Sequence, residues 1–301
     1  MLNPIQQEII RLKQENHAVI LAHNYQAVAI QEIADYTGDS LQLSIQARAA
    51  NAPVIVFCGV RFMAETAAIL NPEASVLLPN DDAGCPMADM ITAEQLRAFK
   101  DEHPGAAVVC YVNSTVEVKA ESDICCTSSN AVKVLESIPA EQEILFVPDQ
   151  NLGTWAASQT HRKVTVWHGY CPVHHWGFRL EDVEKMRRDY PGYVLLAHPE
   201  CQWEIVKNAD LVMSTSGMMN YAQSHDKLII ATEMGLVDLL NSMYPEKSIL
   251  PLSRTAICQN MKKTTLQDVL EALQQHQHLI KVEPETATAA LKCLNNMLDL
   301  R

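Results

Sequence analysis

Apolar residues along this chain fall into short continuous runs, each followed by a polar loop and then a stretch of helical period. Ile5, Ile9, Ile10 and Leu12 recur at helical spacing, which predicts an amphipathic helix over residues 3–15. Beyond it, β-branched runs stand at residues 18–22, 54–58, 106–110, 144–147, 164–167, 193–197 and 228–231. Continuous apolar runs separated by helices are the mark of strands buried on both faces and joined by βα connections, hence of parallel sheets. The tail departs from this pattern. Residues 265–276 and 284–300 read as two helices, the second with Pro284 in its first turn.

The pattern repeats three times. AVILAHNY (18–25), AAVVCYVN (106–113) and GYVLLAHPE (192–200) align so that His23 pairs with Tyr111 and His198, at steps of 88 and 87 residues. Tyr25, Asn113 and Glu200 fall into register at the same steps, and seventeen residues beyond the first set stand Ser40, Ser128 and Thr215. Each unit closes on a cysteine, Cys85, Cys171 or Cys258, at steps of 86 and 87. The expected fold is therefore α/β, with three similar αβα domains whose parallel sheets surround a central site with pseudo-threefold symmetry. The expected units are residues 1–87, 88–173 and 174–259, with the helices of 260–301 packing back on the first. The matched polar residues follow strands, and open α/β sheets bind ligands at the carboxyl ends of their strands.

Composition narrows the function. A chain that is 48% hydrophobic and 20% charged is an ordinary globular protein, which excludes bulk disorder. A formal charge of −13 argues against nucleic acid and anionic membranes as partners, since both require clustered Lys and Arg. No basic segment precedes an apolar one in residues 1–16, and no apolar run approaches about 18 residues, so a cytoplasmic location is expected. Thiols stay reduced there, and nine cysteines then do not form a disulfide framework. They are either buried small hydrophobes or metal ligands.

The repeat separates the two possibilities. Cys58, Cys110, Cys125 and Cys293 read as core residues, and Cys126 and Cys201 lie near site loops but out of phase. Cys85, Cys171 and Cys258 follow strands in phase, and three convergent thiolates suit an iron–sulfur cluster or a zinc ion. A [4Fe–4S] cluster held by three cysteines leaves one iron open as a Lewis acid, which suits dehydration. Ser40, Ser128 and Thr215 each precede a helical segment, where such a hydroxyl is a cap or, facing a shared site, part of an anion site. Anions would thus be held by dipoles and hydroxyls, consistent with the acidic balance. His23, Tyr25, Tyr111, His198 and Glu200 cover acid, base and donor roles, and His174, three residues past Cys171, is the histidine of 168–175 placed to reach the site. Two other readings remain open: a three-domain zinc lyase or hydrolase, and a non-catalytic iron–sulfur sensor or small-anion binding protein.

With these residues assembled, the chain resembles the quinolinate synthase family, the iron–sulfur enzymes of de novo NAD biosynthesis. The resemblance is carried by AHNYQ (22–26), TGDSLQLS (37–44), GVRFMAETAAIL (59–70), GCPMADM (84–90), YVNSTVEVKAESDICCTSSNAVKV (111–134), FVPDQNLG (146–153), HGYCPVHH (168–175), HPEC (198–201), STSGM (214–218), ATEMGL (231–236) and CQNMKKTTL (258–266). It implies a transferase that joins iminoaspartate to dihydroxyacetone phosphate, giving quinolinate, phosphate and two waters. It implies one [4Fe–4S] cluster per chain on Cys85, Cys171 and Cys258. It places His23, Ser40, Tyr111, Asn113, Ser128, His198, Glu200 and Thr215 on the substrate carboxylates, with His174 and Ser214 assisting. Tyr25 and Glu200, together with His198 and Tyr111, are the implied catalytic groups. Iminoaspartate hydrolyses readily, so a transient handover from an aspartate oxidase is a further expectation, as is loading by iron–sulfur assembly machinery. Some family members carry CxxCxxC at the third cysteine; here Cys258-Gln259-Asn260-Met261 leaves a single ligand and no disulfide within such a run.

Overall fold

The computed structural model describes residues 2–300. The first unit runs α1 (Pro4–Glu15), β1 (Ala18–His23), α2 (Val28–Gln31), β2 (Tyr36–Gly38), α3 (Ser40–Ala49), β3 (Val54–Cys58), α4 (Arg61–Leu70) and β4 (Ser75–Leu77). The second runs α5 (Ala93–Asp101), β5 (Ala107–Tyr111), α6 (Val116–Ala120), β6 (Ile124–Cys126), α7 (Ala131–Ser137), β7 (Ile144–Val147), α8 (Gln150–Thr160) and β8 (Val164–Val166). The third begins with α9 (Pro172–Trp176) and α10 (Leu180–Asp189), then β9 (Val194–Ala197), α11 (Trp203–Val206), β10 (Leu211–Val212) and α12 (Thr215–Ala222). It ends with β11 (Lys227–Ala231), α13 (Met234–Met243) and β12 (Ser248–Pro251), and the tail forms α14 (Leu266–Gln275) and α15 (Pro284–Leu298).

Among the described residues there are three four-stranded sheets, all parallel, and each has its strands in the same spatial order, second-first-third-fourth. That order reverses direction between the first and third strands, so each sheet offers a crevice at the carboxyl end of its first strand. The repeat also has a structural signature. Asp35, Asp123 and Asp210 stand just before the second strands, and their carboxylates accept from the main-chain N–H of Ile20, Val108 and Leu195 at 2.8, 2.8 and 2.7 Å. The same three aspartates donate their own N–H to the carbonyls of those residues, which locks the register of the first two strands in every unit.

The central strands are buried on both faces, and β3, β5 and β7 have no exposed residue. Asn3 caps α1 and closes a capping box with Gln6. The tail differs from expectation. α14 lies against α1 and β3, whereas α15 lies mainly against α6 and β6 of the second unit. The reason is the apolar face of α15, with Ala290, Cys293, Leu294 and Met297 buried, and a bond from Asn296 Nδ2 to the Asp123 carbonyl at 2.9 Å. The junction expected between residues 173 and 174 falls inside α9, because Cys171 itself starts that helix as its N-cap.

Candidate active site

A central cavity of about 450 Å³ is lined by residues from all three units. The first-strand set arrives there as the strands end: His23 and Tyr111 are the last residues of β1 and β5, and His198 follows β9 directly. His23, Tyr25, Ser40, Cys85, Tyr111, Asn113, Ser128, Cys171, His174, His198, Glu200, Thr215 and Cys258 all line it. Ser214 does not. Its hydroxyl caps α12 by accepting from Gly217 N at 3.3 Å, and it meets Ser129 Oγ at 2.8 Å.

The hydroxyl set sits differently from the cap reading. Ser40 and Thr215 are the first residues of α3 and α12, and the caps are Asp39 and Ser214 one position earlier. Ser128 lies two residues before Asn130, the N-cap of α7. With capping done by their neighbours, the Ser40 and Thr215 hydroxyls are not consumed by their own helix ends. Among the described residues that line the cavity there is no Lys or Arg, so an anion here meets hydroxyls and main-chain dipoles. Asn113 Oδ1 is buried without a hydrogen-bond partner, which leaves an acceptor for a ligand.

Glu200 is the electrostatic centre. Burial opposes its ionisation, but His174 and His198, with hydrogen bonds from His174 and Tyr111, outweigh burial and hold its carboxyl well below the usual range. Burial pushes the phenols of Tyr25 and Tyr111 upward, with the Glu200 charge adding to both, so both keep their protons. Burial brings His23 down to about 4 and His198 down to about 3, which leaves both rings neutral near pH 7. An ionised carboxylate only accepts, and this orders the network. Tyr111 donates to Glu200 Oε1 at 2.5 Å. His174 Nδ1 lies 2.6 Å from Oε2, to which it donates, and its Nε2 lies 2.8 Å from the Thr232 hydroxyl. Thr232 in turn meets the Tyr25 hydroxyl at 2.7 Å. A continuous hydrogen-bonded chain therefore runs from Tyr25 through Thr232 and His174 to Glu200. His198 stacks on His174 with ring centroids 4.6 Å apart and reaches Ser128 Oγ at 3.2 Å.

Each thiol of the in-phase set heads a turn whose amides point back at its sulfur: Met87 and Ala88 for Cys85, His174 for Cys171, Asn260 and Met261 for Cys258. Burial raises all three, Cys85 to about 12, and thiolate formation at one opposes it at the others, which is the electrostatics of a shared site. A bound cation reverses that balance, because metal binding drives thiol deprotonation. The three thiols, half-buried at one cavity and each met by main-chain donors, fit a cluster with one cysteine per unit. The Cys171, His174 and Glu200 ligand atoms also lie within 4.8 Å of one another. That group is already joined by hydrogen bonds, since His174 Nδ1 meets Cys171 Sγ at 3.2 Å as well as Glu200.

Sequence reasoning missed four residues here. Thr232 has no partner at its repeat position, and Lys119 is a fully buried lysine that holds the turn after β5 by donating to the Ser114 carbonyl at 2.8 Å. Asp149 and Glu233 begin α8 and α13 and touch the cysteine loops. Their common place, one residue before the helix that follows the third strand, was the signal available.

Three similar parallel αβα units around one thiol-bearing cavity define an α/β enzyme with its site at the strand ends. The family model described as Quinolinate synthetase A protein matches residues 7–299. The chain is 51% identical over 298 residues to the quinolinate synthase of Methanoregula boonei, covering 98% of each, and 52% identical over 299 to that of Alkaliphilus metalliredigens, covering 98% of this chain and 97% of the relative. It is 47% identical over 303 residues to that of Thermodesulfovibrio yellowstonii, covering 100% and 99%. The chain belongs to the quinolinate synthase family, transferases of NAD biosynthesis that act on small molecules. Among the described residues no helix is long and apolar enough to cross a membrane.

Proposed function

We propose that this chain condenses iminoaspartate with dihydroxyacetone phosphate to give quinolinate, one phosphate and two waters, in the cytoplasm. Cys85, Cys171 and Cys258 are read as the ligands of one [4Fe–4S] cluster, and Cys258, without a neighbouring CxxC partner, is the only ligand its loop offers. When bound, such a cluster supplies an open Lewis-acidic iron suited to withdrawing a substrate oxygen. The carboxylates of iminoaspartate are assigned to Ser40 and Thr215 at the helix starts and to Ser128 just before α7, with His23 and His198 completing the cradle, while the free Asn113 Oδ1 is left to accept from a substrate N–H or O–H. Tyr111 stays protonated with its one O–H on the ionised Glu200; with substrate bound that O–H turns to developing negative charge, freeing Glu200 to accept protons from carbon or nitrogen. Tyr25 sits at the far end of the Thr232–His174 chain and returns a proton to the leaving oxygen. Ser214 supports Ser129 and α12 instead of touching substrate. We assign each sheet and its helices to one domain, with α9 carrying the second junction. The cluster reading also requires loading by assembly machinery, and the lability of iminoaspartate favours handover from an aspartate oxidase.

The observation that carries this reading is the meeting, in one cavity, of the three in-phase thiols with the Tyr111–Glu200–His174 network. Anaerobically purified protein is expected to be brown, with about four irons per chain and broad absorption near ~400 nm. Given freshly generated iminoaspartate and dihydroxyacetone phosphate, it is expected to form quinolinate. A colourless, zinc-loaded protein with the same turnover would favour the zinc lyase reading, and a cluster-bearing protein without turnover would favour the sensor.

A further inference from the structure

The cysteine loops are tied to the sheets by a threefold device that the chemistry above does not use. In each unit the first residue of the helix after the third strand donates its N–H to the carbonyl two residues before the cysteine. The pairs are Arg61 to Ala83, Gln150 to Gly169 and Met234 to Ala256, at 2.8, 2.8 and 2.9 Å. The N-cap one position earlier is Val60 in the first unit, Asp149 in the second and Glu233 in the third. The two carboxylates are fully buried, and each has both oxygens engaged. Asp149 Oδ1 accepts from Leu152 N at 2.7 Å while Oδ2 accepts from Cys171 N at 3.1 Å. Glu233 Oε2 accepts from Gly235 N at 2.6 Å while Oε1 accepts from Cys258 N at 3.1 Å. Lys262, four residues past Cys258, pairs with Glu233 Oε1 at 3.2 Å.

The backbone is shaped for this contact. A Cβ on Gly235 would meet Glu233 Oε2 at 2.7 Å, and one on Gly169 would meet the Pro148 carbonyl at 2.5 Å. Val60 has no acceptor to offer, and it is itself buried against the cavity.

We propose that Asp149 and Glu233 are positioning residues for the thiolates of Cys171 and Cys258, each bridging a helix N-terminus to the cysteine's own main-chain N–H. The Cys85 arm lacks this bridge and is held instead by Arg61, whose N–H meets the Ala83 carbonyl and whose guanidinium meets Asp81, and by Lys263 on the Asp82 carbonyl. The proposal rests on the three cysteines being cluster ligands. A carboxylate is the group that accepts at both ends of such a bridge; an amide of the same shape accepts at one end and presents a donor at the other. Groups that orient metal ligands in this way typically contribute 10–100-fold to metal retention.

The test has two arms. In the unmodified full chain, labelled with ¹⁵N at cysteine and freed of iron, the Cys171 and Cys258 amides are expected to exchange at least about tenfold more slowly than Cys85. Equal exchange at the three positions overturns the proposal, whatever the protein binds. In the iron-loaded protein, Asp149→Asn and Glu233→Gln are expected to lose iron to a chelator at least about tenfold faster than the parent and to alter the paramagnetic spectrum of the reduced cluster. Asn3→Ala, which removes the cap of α1, is expected to do neither. Variants matching the parent in both iron loss and spectrum also overturn the proposal. A parent that takes up no cluster overturns the ligand reading itself and leaves the exchange arm standing.

Discussion

Two triplets of thiols in this molecule have opposite surroundings. Cys110, Cys125 and Cys293 are fully buried where β5, β6 and α15 meet, with the Cys125 and Cys293 sulfurs 3.2 Å apart. Cys85, Cys171 and Cys258 are half-buried on loops, open to the cavity, and each sulfur faces amides of the turn it begins. Burial raises the pKa of both triplets, so burial alone does not mark a ligand. Main-chain donors and an opening to a shared cavity do, because they let a metal replace the thiol proton and leave room for substrate.

The sharpest way to break this comparison is to remove thiols one at a time. Cys85→Ala, Cys171→Ala or Cys258→Ala is expected to abolish stable iron and sulfide binding and all turnover. Cys125→Ala or Cys293→Ala is expected to keep full iron content while costing about 1 kcal/mol in stability, read by denaturant unfolding of the iron-free chain. Equal iron content across the five variants would dissolve the distinction.

Within the cavity, Glu200→Gln is expected to keep the cluster and lower turnover by about 10²–10⁴-fold. Thr232→Val, which cuts the chain between Tyr25 and His174, is expected to slow turnover by about 10-fold or more with iron content unchanged, and Thr232→Ser to restore it. A valine variant as fast as the parent would remove Thr232 from proton transfer. Thr215→Val is expected to raise KM for iminoaspartate by about tenfold with kcat nearly constant, the effect of losing one hydrogen bond to a charged group.

The smallest effect concerns pH. His23 and His198 have folded pKa values near 4 and 3, below the unfolded value of about 6.5, so the unfolded chain binds more protons between those limits. Their contribution to stability is complete above about pH 6.5 and is lost as pH falls through the folded values, at about 1.4 kcal/mol per pH unit per histidine. Unfolding free energies of the iron-free chain at pH 7.5 and 5.5 are expected to differ by about 1.4 kcal/mol per histidine, nearly all of it below pH 6.5, and a His23→Gln/His198→Gln double variant to lose that difference. An unchanged slope in the double variant would assign the acid sensitivity to other groups.

Much of the fold was legible because the central strands are buried on both faces and so spell continuous apolar runs. Val54–Cys58 and Ile144–Val147 coincide with β3 and β7. Of the edge strands, β8 was located by the run at 164–167, whereas Tyr36–Gly38 and Leu211–Val212 are two or three residues long and partly exposed, and carry no run. The repeat brought the polar residues of the cavity into one register, since threefold symmetry makes sequence phase a proxy for distance. It failed where units differ. Whether Ser40 and Thr215 cap their helices stayed open, because a hydroxyl beside a helix start does not reveal which of two adjacent residues turns the chain. Asp149 and Glu233 escaped notice because Val60 breaks their phase, and α15 was misplaced because its apolar face states that it packs but not against which unit.

If a three-cysteine cluster and the Glu200 network together build quinolinate, product formation follows cluster content. The most direct measurement is quinolinate and phosphate formation against cluster content, in anaerobic protein loaded to different extents and supplied with iminoaspartate and dihydroxyacetone phosphate. Both products are expected in equal amounts, rising in proportion to cluster content and vanishing in the iron-free chain. Quinolinate formed at full rate by iron-free protein, or none formed by protein with its cluster complete, would contradict it.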